Sequence, residues 1–332
     1  MKSTLLLLFK LIFLGLLLLL VVYAFTLIFW QPPEQIINDS INKRTPVWSP
    51  SGDQIAFVSN NSGVDNIWLI NVTDHSLKQL TPSSGADWFP SWSPDGTKIA
   101  FHSNRSGNLD IWIMNIADGK MRQLTHNPSP DVTPVWSPDG KKIAFASLRS
   151  GNWDIWLISA IGGVATQITK HPAEDKFPAW SPNNSDVIAF ASSRSHNWDI
   201  WTLLISGGKA VQITTNEAVD NIPVWSPDGK KIAFTSNRSR NNEIWVKGLG
   251  KEKAAQLTIA PAYNWSPSWS PDGNSIVFQS NRNGHEDIWL MPSPSLLNIL
   301  AIKIKLKMRK LYNFSEWVFI QALEEILGKE LD

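Results

Sequence analysis

The stretch Asp131-Val-Thr-Pro-Val-Trp-Ser-Pro-Asp-Gly-Lys-Lys-Ile-Ala-Phe-Ala-Ser147 holds two strand-like segments joined by a tight turn. Asp139-Gly140 is a hairpin signal, because a two-residue primed turn needs positive φ, which glycine adopts without steric penalty. After the polar connection Arg-Ser-Gly-Asn come two further strand-like segments, at residues 154–159 and 165–169, separated by a Gly-Gly turn. The stretch and its continuation therefore predict four short antiparallel strands.

The same unit recurs about every 44 residues along the chain. Each copy carries Trp-Ser-Pro near its start, at Trp48, Trp92, Trp136, Trp180, Trp225 and Trp269. Each copy also carries Ile-Trp further on, at Trp68, Trp112, Trp156, Trp201, Trp245 and Trp289. The copies lack the three- and four-residue apolar spacing of a helical repeat. The pattern predicts an all-β fold, a six-bladed β-propeller of four-stranded antiparallel blades.

A glutamine that precedes every Trp-Ser-Pro motif at one fixed distance indicates how the ring closes. It recurs as Gln79, Gln123, Gln167, Gln212 and Gln256, and the matching residue before the first blade is Gln35. We therefore expect residues 34–37 to supply the outer strand of the sixth blade and to close a propeller over 34–294. The predicted repeats lie near 43–86, 87–130, 131–174, 175–219, 220–263 and 264–294.

The motif Pro-x-Trp-Ser-Pro-Asp-Gly-x-x-Ile-Ala-Phe-x-Ser-x-Arg-Ser-Gly-x-x-Asp-Ile-Trp resembles the WD40-like PD40 repeat of TolB-type propellers. The resemblance covers most of the chain and implies a propeller that binds a partner protein at a face of its channel. TolB carries an α/β domain before its propeller. The segment between Trp30 and Trp48 is too short for that domain, so we expect it to be absent here.

An uncharged apolar segment, Leu11 to Trp30, is long enough to cross a bilayer as a helix. Lys2 and Lys10 precede it, and the positive-inside rule then places the propeller outside the cytoplasm. Residues 1–30 are therefore predicted to be a cytoplasmic start and a transmembrane signal anchor, with the propeller on the periplasmic or extracellular side. A cleaved signal peptide is the competing interpretation, and it also exports the propeller.

Composition and motifs argue against several classes of function. The chain contains no cysteine, which excludes disulfides, thiolate metal sites and a cysteine nucleophile. A net charge of +1 offers no general attraction to nucleic acid. No Gly-x-Ser-x-Gly elbow occurs, and the six histidines show no ligand spacing. We therefore predict no catalytic residue, no metal and no cofactor.

The residue five positions before each Trp-Ser-Pro tryptophan lies on the crossover between blades, which reaches the channel mouth. These residues are Lys43, Asp87, Asp131, Asp175, Asp220 and Asn264. One hypothesis is a negatively charged ring that binds a cation, a lysine-bearing loop or a helix N-terminus of a partner. The alternative is structural pairing between neighbouring blades with the recurring arginines Arg105, Arg149, Arg194, Arg238 and Arg282. The two interpretations are compatible.

Two further features depart from the repeat. Trp88 and Trp265 follow Asp87 and Asn264 on the crossover and are candidate contacts for a partner or a sugar, the alternative being loop packing. In the tail 295–332, residues 302–310 alternate apolar and basic like a half-buried strand, and 315–327 match an amphipathic helix. The tail could dock on the propeller or on anionic lipid, or be a poorly packed appendage.

These observations favour a non-enzymatic, membrane-anchored scaffold of the cell envelope that presents loops and a channel mouth to a partner protein. One alternative is a propeller that binds a metal or small ligand, including a carbohydrate, in its channel, with or without catalysis. Another alternative is a structural spacer.

Overall fold

The computed structural model describes residues 32–37, 39–82, 84–250, 252–293 and 299–304. Pro33–Ser293 form one compact unit of six four-stranded antiparallel sheets, which confirms the six-bladed all-β propeller. The first strands of neighbouring blades contact one another, so they surround the centre of the ring. Each blade therefore runs from an inner first strand to an outer fourth strand.

The strands follow the repeat closely. Blade 1 comprises β2 (Lys43–Trp48), β3 (Gln54–Ser59), β4 (Asn66–Asn71) and β5 (Leu77–Gln79). Blade 2 comprises β6 (Asp87–Trp92), β7 (Lys98–Ser103), β8 (Asp110–Asn115) and β9 (Met121–Gln123). Blade 3 comprises β10 (Asp131–Trp136), β11 (Lys142–Ser147), β12 (Asp154–Ser159) and β13 (Thr166–Gln167).

The second half of the ring repeats the same order. Blade 4 comprises β14 (Asp175–Ser181), β15 (Asn184–Ser192), β16 (Asp199–Leu204) and β17 (Val211–Gln212). Blade 5 comprises β18 (Asp220–Trp225), β19 (Lys231–Ser236), β20 (Glu243–Gly248) and β21 (Ala255–Gln256). Blade 6 comprises β22 (Asn264–Trp269), β23 (Ser275–Ser280) and β24 (Asp287–Pro292), with β1 (Glu34–Gln35) as its outer strand.

The predicted closure of the ring is confirmed. In β1, Gln35 stands opposite Trp289 in an antiparallel pairing. The backbone N–H of Ile36 donates to the carbonyl oxygen of Ile288 over 3.1 Å. The Gln35 side chain donates to Asp287 over 2.6 Å. The outer strand of the last blade therefore comes from the start of the propeller, so the first and last blades are joined within one sheet.

The core lies between blades. Trp92 of blade 2 packs with Ile67 and Leu69 of blade 1 and is 8% exposed. The same arrangement recurs around the ring, since all six Trp-Ser-Pro tryptophans are buried. Burying a large apolar side chain stabilises the fold by about 1.5–3 kcal/mol relative to exposure. The tryptophans thus hold neighbouring blades together.

Alternating strand direction gives the propeller two distinct faces. The crossover face carries the links from the fourth strand of one blade to the first strand of the next, and the loops between second and third strands. The hairpin face carries the turns between first and second strands and between third and fourth strands. The strand β1 begins on the hairpin face and β24 ends on it. The chain therefore enters and leaves the propeller on this face.

The two terminal predictions fall largely outside the described residues. Leu11 to Trp30 is not among them, nor is 305–332. Within the part of the chain that the structure describes, no helix has the length and apolar character needed to span a bilayer. Residues 299–304 form a short helix, which differs from the strand expected to begin at residue 302.

Candidate functional site

The predicted ring of carboxylates lies on the crossover face but is not open to a partner. Asp87, Asp131, Asp175 and Asp220 are fully buried at the first position of each inner strand. Each is paired with the arginine that follows the second strand of its own blade. The shortest nitrogen–oxygen separations are 2.7 Å for Arg105–Asp87, 2.5 Å for Arg149–Asp131, 2.8 Å for Arg194–Asp175 and 2.5 Å for Arg238–Asp220. The expectation of pairing between neighbouring blades is wrong, because both partners belong to one blade.

Each of these arginines is held on several sides. Arg194 donates from Nε to Ser192 over 2.8 Å, and its guanidinium carbon lies 5.2 Å from the ring centre of Phe190 and 5.1 Å from that of Trp201. Burial raises the pKa of Asp175. A buried carboxylate is stable only when it is paired and hydrogen-bonded. The repeated pair therefore braces the loop, and the mouth is not a negatively charged funnel.

Blades 1 and 6 lack the aspartate–arginine pair, and other charged residues compensate the cation there. In blade 1, Lys43 occupies the carboxylate position and forms a 3.5 Å ion pair with Asp287 of blade 6. In blade 6, Arg282 donates to the amide oxygen of Asn264 over 2.9 Å. The amide nitrogen of Asn264 donates to Glu243 of blade 5 over 2.6 Å. Burial raises the pKa of Glu243 to about 7 and lowers the pKa of Arg282 to about 10.

The aspartate of Asp-Ile-Trp is a hydrogen-bond acceptor that braces the neighbouring loop. Asp110 accepts from Gln123 over 3.0 Å, from Ser106 over 2.8 Å and from Thr125 over 3.3 Å. The glutamine makes the equivalent hydrogen bond in five of the six blades, whereas Gln256 of blade 5 donates to the carbonyl oxygen of Thr258 over 2.8 Å. The serine and threonine partners were not identified from the sequence, although both also recur with the blade period.

The six inner strands differ from one another where they meet the crossover face. The residue after each buried ring position is Arg44, Trp88, Val132, Lys176, Asn221 or Trp265. The next residue has φ between 47° and 54° in every blade: Thr45, Phe89, Thr133, Phe177, Ile222 and Ser266. A bulge at this point adds one residue to the inner strand. Left-handed backbone at non-glycine residues is unfavourable and persists only where the surroundings impose it.

The bulge brings aromatic rings together at the centre of the propeller. The ring centroids of Phe89 and Phe177 lie 6.0 Å apart, although the residues belong to blades 2 and 4. Phe89 and Trp88 both stack on His102, each with centroids 5.6 Å apart. Burial lowers the pKa of His102 to about 3, so this imidazole is neutral and packs as an aromatic ring. The sequence analysis did not identify either phenylalanine as a site residue. Both could have been noticed because they precede the repeated proline, where the other four copies have threonine, isoleucine or serine.

The two predicted tryptophans lie on the two blades that flank blade 1. Trp88 donates from its indole nitrogen to Asp65 of blade 1 over 2.8 Å. Trp265 lines a cavity of about 250 Å³ together with Tyr263, Gln279, Asn281 and Glu286. Tyr263 is 52% exposed. The structure does not bring Trp88 and Trp265 into contact with each other through any described interaction.

Charged side chains are interleaved with these aromatic rings. Lys176 lies between two tryptophans, with its ammonium nitrogen 5.0 Å from the ring centre of Trp153 and 5.4 Å from that of Trp198. Arg44 pairs with Glu286 and lies 3.5 Å from Asp65. Among the described residues, no group of three or more histidines and carboxylates is arranged to hold a metal ion. The mouth is thus an aromatic surface with paired charges.

The family model for the TolB beta propeller domain, PD40, matches residues 31–135, 126–223 and 217–296. The chain belongs to this family. No curated protein matches this TolB-type propeller significantly.

Solved structures with similar folds include TolB proteins and an enzyme. A putative TolB from Agrobacterium tumefaciens is 23% identical with a TM-score of 0.62, and the match covers 70% of this chain and 85% of that one. TolB from Acinetobacter baumannii is 20% identical with a TM-score of 0.56, covering 77% and 64%. An oligogalacturonate lyase in complex with manganese is 15% identical with a TM-score of 0.58, covering 79% and 93%. At these identities the similarity shows the fold alone.

Proposed function

We propose that this TolB-type propeller is a non-enzymatic scaffold that binds a partner protein on its crossover face. The observation that carries the proposal is the divergence of the six copies at the channel mouth. Elsewhere each blade repeats the same core tryptophan and bracing network, whereas the channel mouth carries a different side chain in nearly every blade. A rigid repeat whose side chains vary around its opening is typical of a binding surface.

The chemistry of the mouth fits a protein partner. Aromatic residues and arginine supply most of the binding energy in protein interfaces, where they anchor in desolvated pockets. Here Trp88, Phe89, Phe177 and Trp265 surround the opening, with Tyr263 exposed beside the cavity. Because the carboxylates of the ring are buried, we propose that the partner inserts an apolar or aromatic loop. Asp87, Asp131, Asp175, Asp220 and Asn264 would act by holding the loops that contact it.

The same proposal includes the membrane. Residues 11–30 would anchor the chain, with the propeller on the periplasmic or extracellular side. The chain enters the propeller on the hairpin face, so an anchored propeller would turn its crossover face away from the bilayer. That orientation leaves the aromatic mouth accessible to a partner in the same compartment.

Site-specific photocrosslinking in membranes of the source organism tests the binding proposal. A photoreactive amino acid at Tyr263 of the full chain should form a discrete crosslink to one partner, and the same label at Ile161 on the hairpin face should not. Trp265→Ala should weaken the Tyr263 crosslink about tenfold or more. An unchanged crosslink with Trp265→Ala and Trp88→Ala, in variants that melt like the parent, would refute binding at the mouth.

A ligand-binding or catalytic propeller predicts a different result. Calcium, zinc or manganese added to the purified chain would raise its melting temperature, and a chelator would reverse the rise. Stability indifferent to these metals, together with a protein crosslink at Tyr263, supports the scaffold.

A further inference from the structure

Both ends of the propeller leave it on the hairpin face of blade 6. The strand β1 starts there at Glu34, and β24 finishes there at Pro292. Only three residues lie between Trp30 and Glu34, and three residues span at most about 10 Å. In the chain after Ser293, basic residues alternate with apolar ones over residues 302–310: Lys303, Lys305, Lys307, Arg309 and Lys310.

The hairpin face exposes apolar side chains on one side of the ring. Ile161 and Val164 flank the Gly-Gly turn of blade 3 and are 90% and 94% exposed. In blades 4 and 5 the corresponding turns expose Leu204, Val211 and Leu249 at 46%, 58% and 47%. Of the large apolar side chains that the described residues expose on this face, only Leu77 lies outside blades 3 to 5. Contiguous exposed apolar groups usually mark an interaction surface.

Lysines accompany the same turns. Those exposed on blades 3 to 5 are Lys141, Lys142, Lys209, Lys230 and Lys253. The same part of the face carries four acidic groups, Asp139, Asp186, Asp228 and Glu252, and the half-buried Lys231 and Lys247 bring its described lysines to seven. On blades 6, 1 and 2 the hairpin face carries Asp53, Asp74, Asp95, Asp118 and Asp272, which outnumber Lys78, Lys98, Lys120 and Arg122 there. Basic charge and exposed apolar groups therefore coincide on one half of the face.

We propose that this half of the hairpin face, termed the hairpin patch and made of the turns of blades 3 to 5, docks on an anionic lipid bilayer. Apolar tips surrounded by lysines suit a membrane interface, where the tips enter the headgroup region and the lysines face anionic lipid. The inference rests on the proposed membrane anchor. The anchor would join the ring at blade 6, and blade 3 of the patch lies opposite that blade, so docking would add a second attachment point on the hairpin face.

Single-cysteine labelling of the full chain tests the docking, because the natural sequence has no cysteine. Val164→Cys would carry an environment-sensitive fluorophore in vesicles of phosphatidylcholine with phosphatidylglycerol. Thr73→Cys, in the equivalent exposed turn of blade 1, is the matched control. Lipid-borne nitroxide should quench the label at position 164 but not at position 73, and iodide quenching at 164 should fall at least about twofold. The triple variant Lys141→Glu, Lys209→Glu, Lys230→Glu should abolish both effects.

Each other outcome has a definite meaning. Equal iodide access at positions 164 and 73 in vesicles that retain the chain would overturn the docking while leaving the anchor intact. A chain that does not float with vesicles would instead refute the anchor. Protection of position 164 without nitroxide quenching would show that protein, such as a second copy, covers the patch, and would overturn the lipid proposal.

Discussion

The ring of Phe89 lies 6.0 Å from that of Phe177, although a whole blade separates the two residues around the ring. Both side chains leave a bulge with left-handed backbone, at φ of 51° and 54°. The contact crosses the centre of the propeller and links inner strands that share no hydrogen bonds. It lies at the same mouth as Trp88, which stacks on His102 as Phe89 does.

The first prediction concerns this contact. Phe89→Ala and Phe177→Ala should each lower the free energy of unfolding by about 1–3 kcal/mol, because each removes a half-buried aromatic ring. The double variant should show a coupling of about 0.5–1.5 kcal/mol by urea titration. Leu77→Ala, at an exposed site, is the control and should change little. Strict additivity of the two phenylalanine variants would contradict the contact.

The second prediction concerns charge balance in the ring. Asp220→Asn should lower the free energy of unfolding by about 3–5 kcal/mol, because Arg238 would be left buried without its counter-charge. Asp199 is the residue of blade 4 that corresponds to Glu243 of blade 5. Adding Asp199→Glu to Asp220→Asn therefore gives blades 4 and 5 the glutamate–asparagine pair that Glu243 and Asn264 form between blades 5 and 6. The double variant should recover at least about 1 kcal/mol at a pH of about 8, where that glutamate is ionised.

The comparison with Asp199→Glu alone provides the control for that experiment. The single variant should be neutral or destabilising, since Asp199 already accepts from Ser195, Gln212 and Thr214. If Asp199→Glu fails to rescue Asp220→Asn, the arrangement around Asn264 is not a charge-compensating unit.

The third prediction concerns pH. The pKa of Glu243 is raised by burial to about 7, above its ordinary value of 4.5. The folded state therefore binds this proton more tightly than the unfolded state. Its contribution to stability is fully present below pH 4.5 and is lost as the pH rises towards 7. The loss amounts to about 3 kcal/mol for a shift of this size.

Urea unfolding of the wild type and Glu243→Gln at about pH 5 and pH 8 measures this term. The glutamine variant cannot titrate here, so its stability should fall less across the interval than that of the wild type. Parallel pH profiles for the two proteins would show that Glu243 is ionised in the fold at acidic pH and would refute the raised pKa.

The fourth prediction concerns closure of the ring. Gln35→Pro should remove the pairing of β1 with β24, because proline has no backbone N–H and constrains the strand. Hydrogen exchange should then accelerate in β24 and in β2, on the two sides of the seam. The matched variant Gln123→Pro disrupts the outer strand of blade 2, and its effect should stay within that blade. Similar exchange patterns at the seam in both variants would contradict closure by β1.

The architecture could be predicted because its signals are local and repeated. Asp-Gly turns, alternating short strands and two tryptophans per unit define one blade, and six units define the ring. Gln35 predicted the closing strand because that glutamine recurs in every blade, whichever end of the chain supplies it. Repetition thus carries long-range information that a single segment lacks.

The chemistry of the mouth was predicted less well. The period placed Asp87 and its equivalents on the correct face, but it did not show that each is buried under an arginine of its own blade. Trp88 and Trp265 stood out because they break the repeat. Phe89 and Phe177 also depart from the repeat. Their contact, however, depends on a backbone bulge that the sequence analysis did not predict.

The sequence alone determined the number of blades, their strands and the closure, because hydrogen-bonded strands and buried tryptophans obey a regular period. Tertiary structure decided which repeated charges face one another and which are hidden, because burial depends on side chains brought together from distant positions. It also decided which residues form the mouth, since Phe89 and Phe177 approach only after the ring has closed.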